Sequence, residues 1–192
     1  MRSAEPTPIG VPCTHPPRTS DPGLGDYRGG EEEEGTVTVV VEIPKGSRNK
    51  YEYDPRTGAI VLDRMLFTSM QYPADYGFIL GTLGADGDPL DALVFVGEPT
   101  FPGCRITARP IGLFRMRDEK GPDEKILCVP LRDPMWSHVR DLSDLNPNLL
   151  NEIEHFFAVY KDLEGHKVGV EGFGDRAEAL RVIAEARTRP ER

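Results

Sequence analysis

Thr36-Val37-Thr38-Val39-Val40-Val41-Glu42-Ile43, closed by Pro44 and Gly46, is the stretch on which the fold reading turns. Side chains branched at Cβ suit a pleated surface, and Pro and Gly end strands, so this run predicts one. Two shorter segments follow, Lys50-Tyr51-Glu52-Tyr53 and Ala59-Ile60-Val61-Leu62. Asp54-Pro55-Arg56-Thr57-Gly58 between them has the composition of a hairpin connection. Further strands are predicted around Ala92 to Val96, Arg105 to Met116 and Lys125 to Val129, with Gly and Pro in every gap. Many short strands at close spacing point to a closed or partly closed barrel.

Helices come late. Asn146-Pro147 reads as an N-cap followed by proline in the first turn. Leu149, Leu150, Ile153, Phe156, Phe157 and Tyr160 then repeat at helical spacing, with Gly165 just past the end. A second helix is predicted from Asp175, with Glu178 completing a capping box, to about Arg187. The class is mainly β (α+β), a barrel with peripheral helices.

Upstream the texture is different. Residues 1–35 hold Pro6, Pro8, Pro12, Pro16, Pro17 and Pro22, several glycines and the run Glu31 to Glu34. Such a segment buries too little apolar surface to offset its ordering entropy, so disorder is expected there and a folded domain over 36–192. Cys13 and His15 alone do not make a metal site. A chain of 192 residues suits one substantial core. The net charge of −9 without a basic stripe argues against nucleic acid as a partner. Cys13, Cys104 and Cys128 are odd in number and widely spaced, which favours a reducing compartment. No apolar run has bilayer-spanning length, and none follows Arg2 as a secretory signal would require. A cytoplasmic protein without membrane contact is expected.

The chemistry is signalled most strongly by Asp86-Gly87-Asp88-Pro89-Leu90-Asp91. Gly87 permits a tight bend, and Pro89 biases Asp88 toward an extended backbone. Alone, the hexapeptide also fits a solvated acidic turn, while the distal glutamate of a calcium-binding EF-hand loop is missing. Asp118 and Asp123 form a second acidic pair across a turn between two strands. Glu42 ends the first strand, and Glu52 shares a strand face with Lys50. Ligation by carboxylates without a His or Cys cluster points to a hard cation, magnesium or manganese. Facing these acids are Lys50, Arg64, Lys125 and Lys161, with Tyr72, Tyr76 and Tyr160. Each has an ordinary structural explanation alone. Together they suit an anionic, oxygen-rich substrate held beside cations.

Glu42-Ile43-Pro44, Lys50-Tyr51-Glu52, Asp63-Arg64, Tyr72-Pro73-Ala74-Asp75-Tyr76-Gly77 and the hexapeptide Asp86 to Asp91 stand in an order that resembles family I soluble inorganic pyrophosphatases. The Asp118 to Lys125 segment and His155-Phe156-Phe157 through Tyr160-Lys161-Asp162-Leu163-Glu164 extend the match. The wording of Gly46 to Tyr51 and of Phe114 to Asp118 is similar to the actinobacterial branch. The resemblance implies an OB-like five-stranded β-barrel, usually a homohexamer in bacteria, that hydrolyses pyrophosphate with several Mg2+ ions or a similar metal such as Mn2+. It implies that Asp86, Asp91 and Asp123 hold one metal, that Asp91 bridges to a second, and that Asp118 with Asp123 binds a third arriving with substrate. Glu42 and Glu52 match positions at the metal edge. Lys50, Arg64, Lys125, Tyr72, Tyr76, Tyr160 and Lys161 match the substrate-contacting set, and Asp88 the carboxylate that takes a proton from the attacking water. The segment Gly165-His166-Lys167-Val168-Gly169-Val170 departs from the pattern, one residue short and without a lysine at Gly169.

The implied reaction suits these residues. Pyrophosphate is protected by its own charge and by the weakness of water as a nucleophile. Metals can lower a water pKa toward about 7, and Lys and Arg offset charge on the leaving phosphate. Rival readings are an OB-type single-strand binder, another magnesium-dependent phosphohydrolase, and a retained fold without activity. The first predicts basic grooves with stacking aromatics, where this chain has acidic loops.

Overall fold

β1 (Val37–Ile43) forms where the branched run predicts it and is the seam of the fold. The computed structural model describes residues 35–119 and 121–189. β1 pairs antiparallel with β4 (Asp75–Ile79) on one side and with β6 (Arg105–Asp118) on the other. β4 continues to β5 (Asp91–Val94), β5 runs parallel to β7 (Gly121–Pro130), and β7 pairs antiparallel with β6. The five strands therefore close into a ring, and the expected mainly β, OB-like architecture is present. β6 is long enough for two tasks. Its first residues, Arg105 to Ala108, seal the ring against β1, and its last, Leu113 to Arg117, carry β8 (Gly169–Gly174). β2 (Asn49–Asp54) and β3 (Ala59–Met65) form a separate hairpin outside the ring, joined through the predicted Asp54–Gly58 turn.

The ring strands are buried on both faces. Ala92, Val94, Ile126 and Cys128 pack with Ala179, Val182, Ile183 and Ala186 of α2 (Arg176–Thr188). Their neighbours Leu93, Phe95, Leu127 and Val129 pack with Ile153, Phe156 and Phe157 of α1 (Pro147–Val159). The helix starts are the predicted ones. The Asn146 side chain accepts from Asn148 N–H, and Asp175 and Glu178 form the reciprocal capping box. The first helix stops at Val159, earlier than expected. Gly165, left-handed at φ 82°, closes instead a short 3-10 turn over Asp162–Glu164.

β4 and β8 are strands the composition does not announce, because glycines interrupt both. At Gly77 the reason is a close approach: a Cβ there would lie 1.9 Å from the Val40 carbonyl oxygen of the paired strand. The expected disorder before residue 36 lies outside the described residues, apart from Gly35. Among the described residues no helix is long and apolar enough to cross a membrane.

Candidate active site

Lys125 is the buried centre of the constellation. Parallel pairing sets it opposite Asp91, and Asp123 stands two residues before it on the same face of β7. Its ammonium donates to Asp91 Oδ2 and to Asp123 Oδ1, both at 2.8 Å, and to the Tyr76 hydroxyl at 3.2 Å. An ammonium has three hydrogens, so its donor capacity is filled. The Tyr76 hydroxyl in turn donates to Asp91 Oδ2. Burial works against a charge on Lys125, but Asp91 and Asp123 outweigh it and hold the pKa above its ordinary value. The Tyr76 phenol is pushed well up by burial, with the Asp91 charge adding to it.

Two β-bulges aim acids into the same region. Val41 pairs with Gly77 and Ile43 with Tyr76, which leaves Glu42 as the extra residue of β1. Glu42 Oε1 accepts from the Tyr53 N–H at 2.7 Å, and this contact helps seat the hairpin on the ring. Burial pushes the Glu42 carboxyl up to about 7, with Asp91 and Glu52 adding and the Tyr53 N–H and Lys50 opposing. On β3, Leu62 pairs with Tyr51 and Arg64 with Lys50, so Asp63 is the bulged residue. Its Oδ2 accepts from Arg64 Nη1 at 2.6 Å and Lys50 Nζ at 3.3 Å, and Lys50 also pairs with Glu52. Burial raises the Asp63 pKa, yet Arg64 and Lys50 together hold it below the usual value.

The β6–β7 tip and the exit of α1 supply the other rim. Asp123 faces Met116, two residues before Asp118, so Asp118 and Asp123 are diagonal neighbours on one face. Lys161 donates to Asp118 Oδ2 at 3.2 Å. Tyr160 caps α1 and is buried against Phe156 and Phe157. The Tyr72 ring lies 5.5 Å from Tyr76 and 4.9 Å from Phe156. Burial raises the Tyr72 phenol well above its ordinary value, and its neighbours in that shift include Tyr160, Arg64, Asp91 and Glu42.

Asp86 and Asp88 stand apart from this network. Both are exposed in the loop that leads into β5, where Asp86 Oδ1 accepts from the Asp88 N–H at 3.1 Å. Gly87 takes φ 98°, the conformation that bends the loop. Among the described residues, no three His, Cys, Asp or Glu side chains gather closely enough to hold an ion by themselves. The acids of the site meet on cationic side chains instead. Asp63 and Glu164 belong to the network, although the sequence motifs that contain them assign neither a role. Adjacency to Arg64 was the available signal for Asp63. Glu164 reaches Arg64 from a hundred residues away, at 3.0 Å to Nη2, and no local pattern announces that.

The family model described as inorganic pyrophosphatase matches residues 39–191. The inorganic pyrophosphatase of Methanosarcina acetivorans is 56% identical over 152 residues, covering 79% of this chain and 90% of that protein. That of Streptomyces coelicolor is 63% identical over 134 residues, 70% of this chain and 82% of its own. Among solved structures, the inorganic pyrophosphatase from Thermus thermophilus superposes with a TM-score of 0.79 at 45% identity, covering 82% of this chain and 92% of that one. The Helicobacter pylori enzyme gives 0.77 at 44% identity, with 79% and 91% covered.

Proposed function

The chain belongs to the inorganic pyrophosphatase family and hydrolyses pyrophosphate to two phosphates, and from that premise we propose how its side chains divide the reaction. The observation that carries the proposal is the meeting of Asp91 and Asp123 on one buried cation, Lys125, at 2.8 Å each. Two carboxylates turned toward a single positive charge are a donor set of the right chemistry for a hard divalent ion. Mg2+ keeps several of its waters when bound, so a closed cage of protein acids is not required. Asp86, Asp91 and Asp123 would hold the first Mg2+, and Asp91 would share a second. Asp118 with Asp123 would receive one that accompanies substrate, and Glu42 and Glu52 would act at the edge. When bound, such ions screen the diphosphate charge and acidify water.

The chain's own residues do the rest. Lys50, Arg64 and Lys161 hold phosphate oxygens by charge-assisted hydrogen bonds, with Tyr72 and Tyr160 as phenolic donors and Tyr76 joining them when its one hydrogen turns from Asp91 to the substrate. Lys125, locked in its charged form, keeps Asp91 and Asp123 from repelling one another and offsets charge on the departing phosphate. Asp88, exposed in the loop beside β5, is the base that takes the proton of the attacking water. A cytoplasmic setting fits free Cys104 and Cys128. Exposed Phe67, Phe101, Met135 and Leu163 are apolar surface of the kind that assembly into a homohexamer would cover.

The test is a phosphate-release panel with pyrophosphate, nucleoside triphosphates and sugar phosphates, each with and without a chelator. Release from pyrophosphate alone, abolished by chelator and restored by Mg2+, is the expected outcome. Turnover indifferent to chelator would overturn the metal reading, and faster release from a nucleotide would overturn the specificity.

A further inference from the structure

Glu164 has no part in the assignment above, yet it grips one of the substrate-facing cations by two bonds. Its Oε2 accepts from Arg64 Nη2 at 3.0 Å and its Oε1 from Arg64 Nε at 3.4 Å. Asp63 Oδ2 accepts from Nη1 at 2.6 Å. We propose that Glu164 is a positioning residue: it clamps the Nε–Nη2 edge of Arg64 and so presents the remaining guanidinium hydrogens to a phosphate oxygen of pyrophosphate. This rests on the reading of Arg64 as a phosphate contact.

The geometry supports clamping over mere neutralisation. A guanidinium carries five N–H groups in a rigid fork, and three are engaged here, leaving two for an incoming oxygen. Arg64 stands on the hairpin outside the ring, on a long side chain that would otherwise sample many rotamers. Glu164 offers a stiff base for the clamp. It ends the short 3-10 turn after α1, where Glu164 N–H donates to the Lys161 carbonyl at 3.0 Å and Gly165 N–H to the Asp162 carbonyl at 3.1 Å. Lys161, at the start of the same turn, reaches Asp118 on the opposite rim. One rigid turn thus fixes a cation on the β6–β7 side and orients a second on the hairpin side. Burial disfavours charge on Glu164, but Arg64 outweighs it and holds the carboxyl below its usual pKa, so the clamp is ionised at neutral pH. The pair is partly exposed, at 34% and 17%, which makes it a weak contributor to stability. Its effect belongs in substrate binding.

The experiment is a double-mutant cycle on pyrophosphate hydrolysis with the full chain, using Glu164→Gln, Arg64→Lys and the combination. Glutamine cannot accept from both guanidinium nitrogens, so KM rises about tenfold with kcat changed by less than about threefold. In the Arg64→Lys background, where the fork is already lost, Glu164→Gln adds no further loss. If Arg64→Lys raises KM but Glu164→Gln does not, or if the two losses multiply, Glu164 is a structural residue and the inference falls. If Arg64→Lys itself leaves KM unchanged, the reading of Arg64 falls and takes the clamp with it. Should Glu164→Gln not fold, Glu164→Asp keeps the charge, falls short of the edge and reads the same change in KM.

Discussion

Lys125 stands on a ring strand, on the face that α1 covers, with its side chain 3% exposed and its three hydrogens taken by Asp91, Asp123 and Tyr76. Lys50 and Arg64 stand on the hairpin at 22% and 34% exposure, shared among Glu52, Asp63 and Glu164. The same kind of charge is thus held by opposite means. Between the ring strands and α1, strand register and burial determine where the ammonium lies, and the low local dielectric makes each contact strong. On the hairpin, ion pairs in water and salt are worth about 0–1 kcal/mol, so Lys50 keeps freedom to follow a ligand, while Arg64 owes its orientation to the Glu164 clamp rather than to burial. One half of the pocket is fixed by burial and register, and the other by exposed ion pairs that leave Lys50 free to adjust.

The comparison is tested most severely by Asp91→Asn, which removes the charge that faces Lys125 and a proposed metal-ligating carboxylate together. Pyrophosphate turnover is expected to fall by about 10³-fold, with Asp88→Asn falling within the range of about 10²–10⁴ for a lost general base. Both variants should keep the wild-type circular dichroism spectrum, and undiminished turnover in Asp91→Asn would remove the basis for the metal assignment. Lys125→Met comes next. It leaves two acids facing one another, so turnover should drop about 10²-fold and stability by about 1–3 kcal/mol in denaturant unfolding. Loss of activity with no loss of stability would contradict the prebuilt half of the picture. Lys50→Ala should do least, raising KM about tenfold or less without a stability change, and flattening the dependence of KM on ionic strength. An effect on Lys50 as large as that on Lys125 would erase the distinction.

What the residues reveal in advance divides along the same line. β1 is legible because Val37, Val39, Val41 and Ile43 all seek burial, and both helix starts are legible because capping is local. The acidic hexapeptide is legible for the same reason. The meeting of Asp91 with Lys125 needs a parallel pairing across a crossover, which no local pattern encodes. Nor can a bulge at Glu42 or Asp63 be seen without its partner strand, since it exists only as a mismatch of register. β4 and β8 escape because their glycines answer to neighbours rather than to propensity. Glu164 escapes because its partner lies a hundred residues upstream.

The seam of the ring also governs how this protein can be made. Val37 to Val40 of β1 find their second neighbour only in Arg105 to Ala108, and β5 finds its parallel neighbour later still, in β7. A chain leaving the ribosome therefore carries an unzipped sheet with bare edges until most of it has been translated. No shorter nascent piece can sample a sealed form, which makes this interval the one in which a chaperone has most to protect.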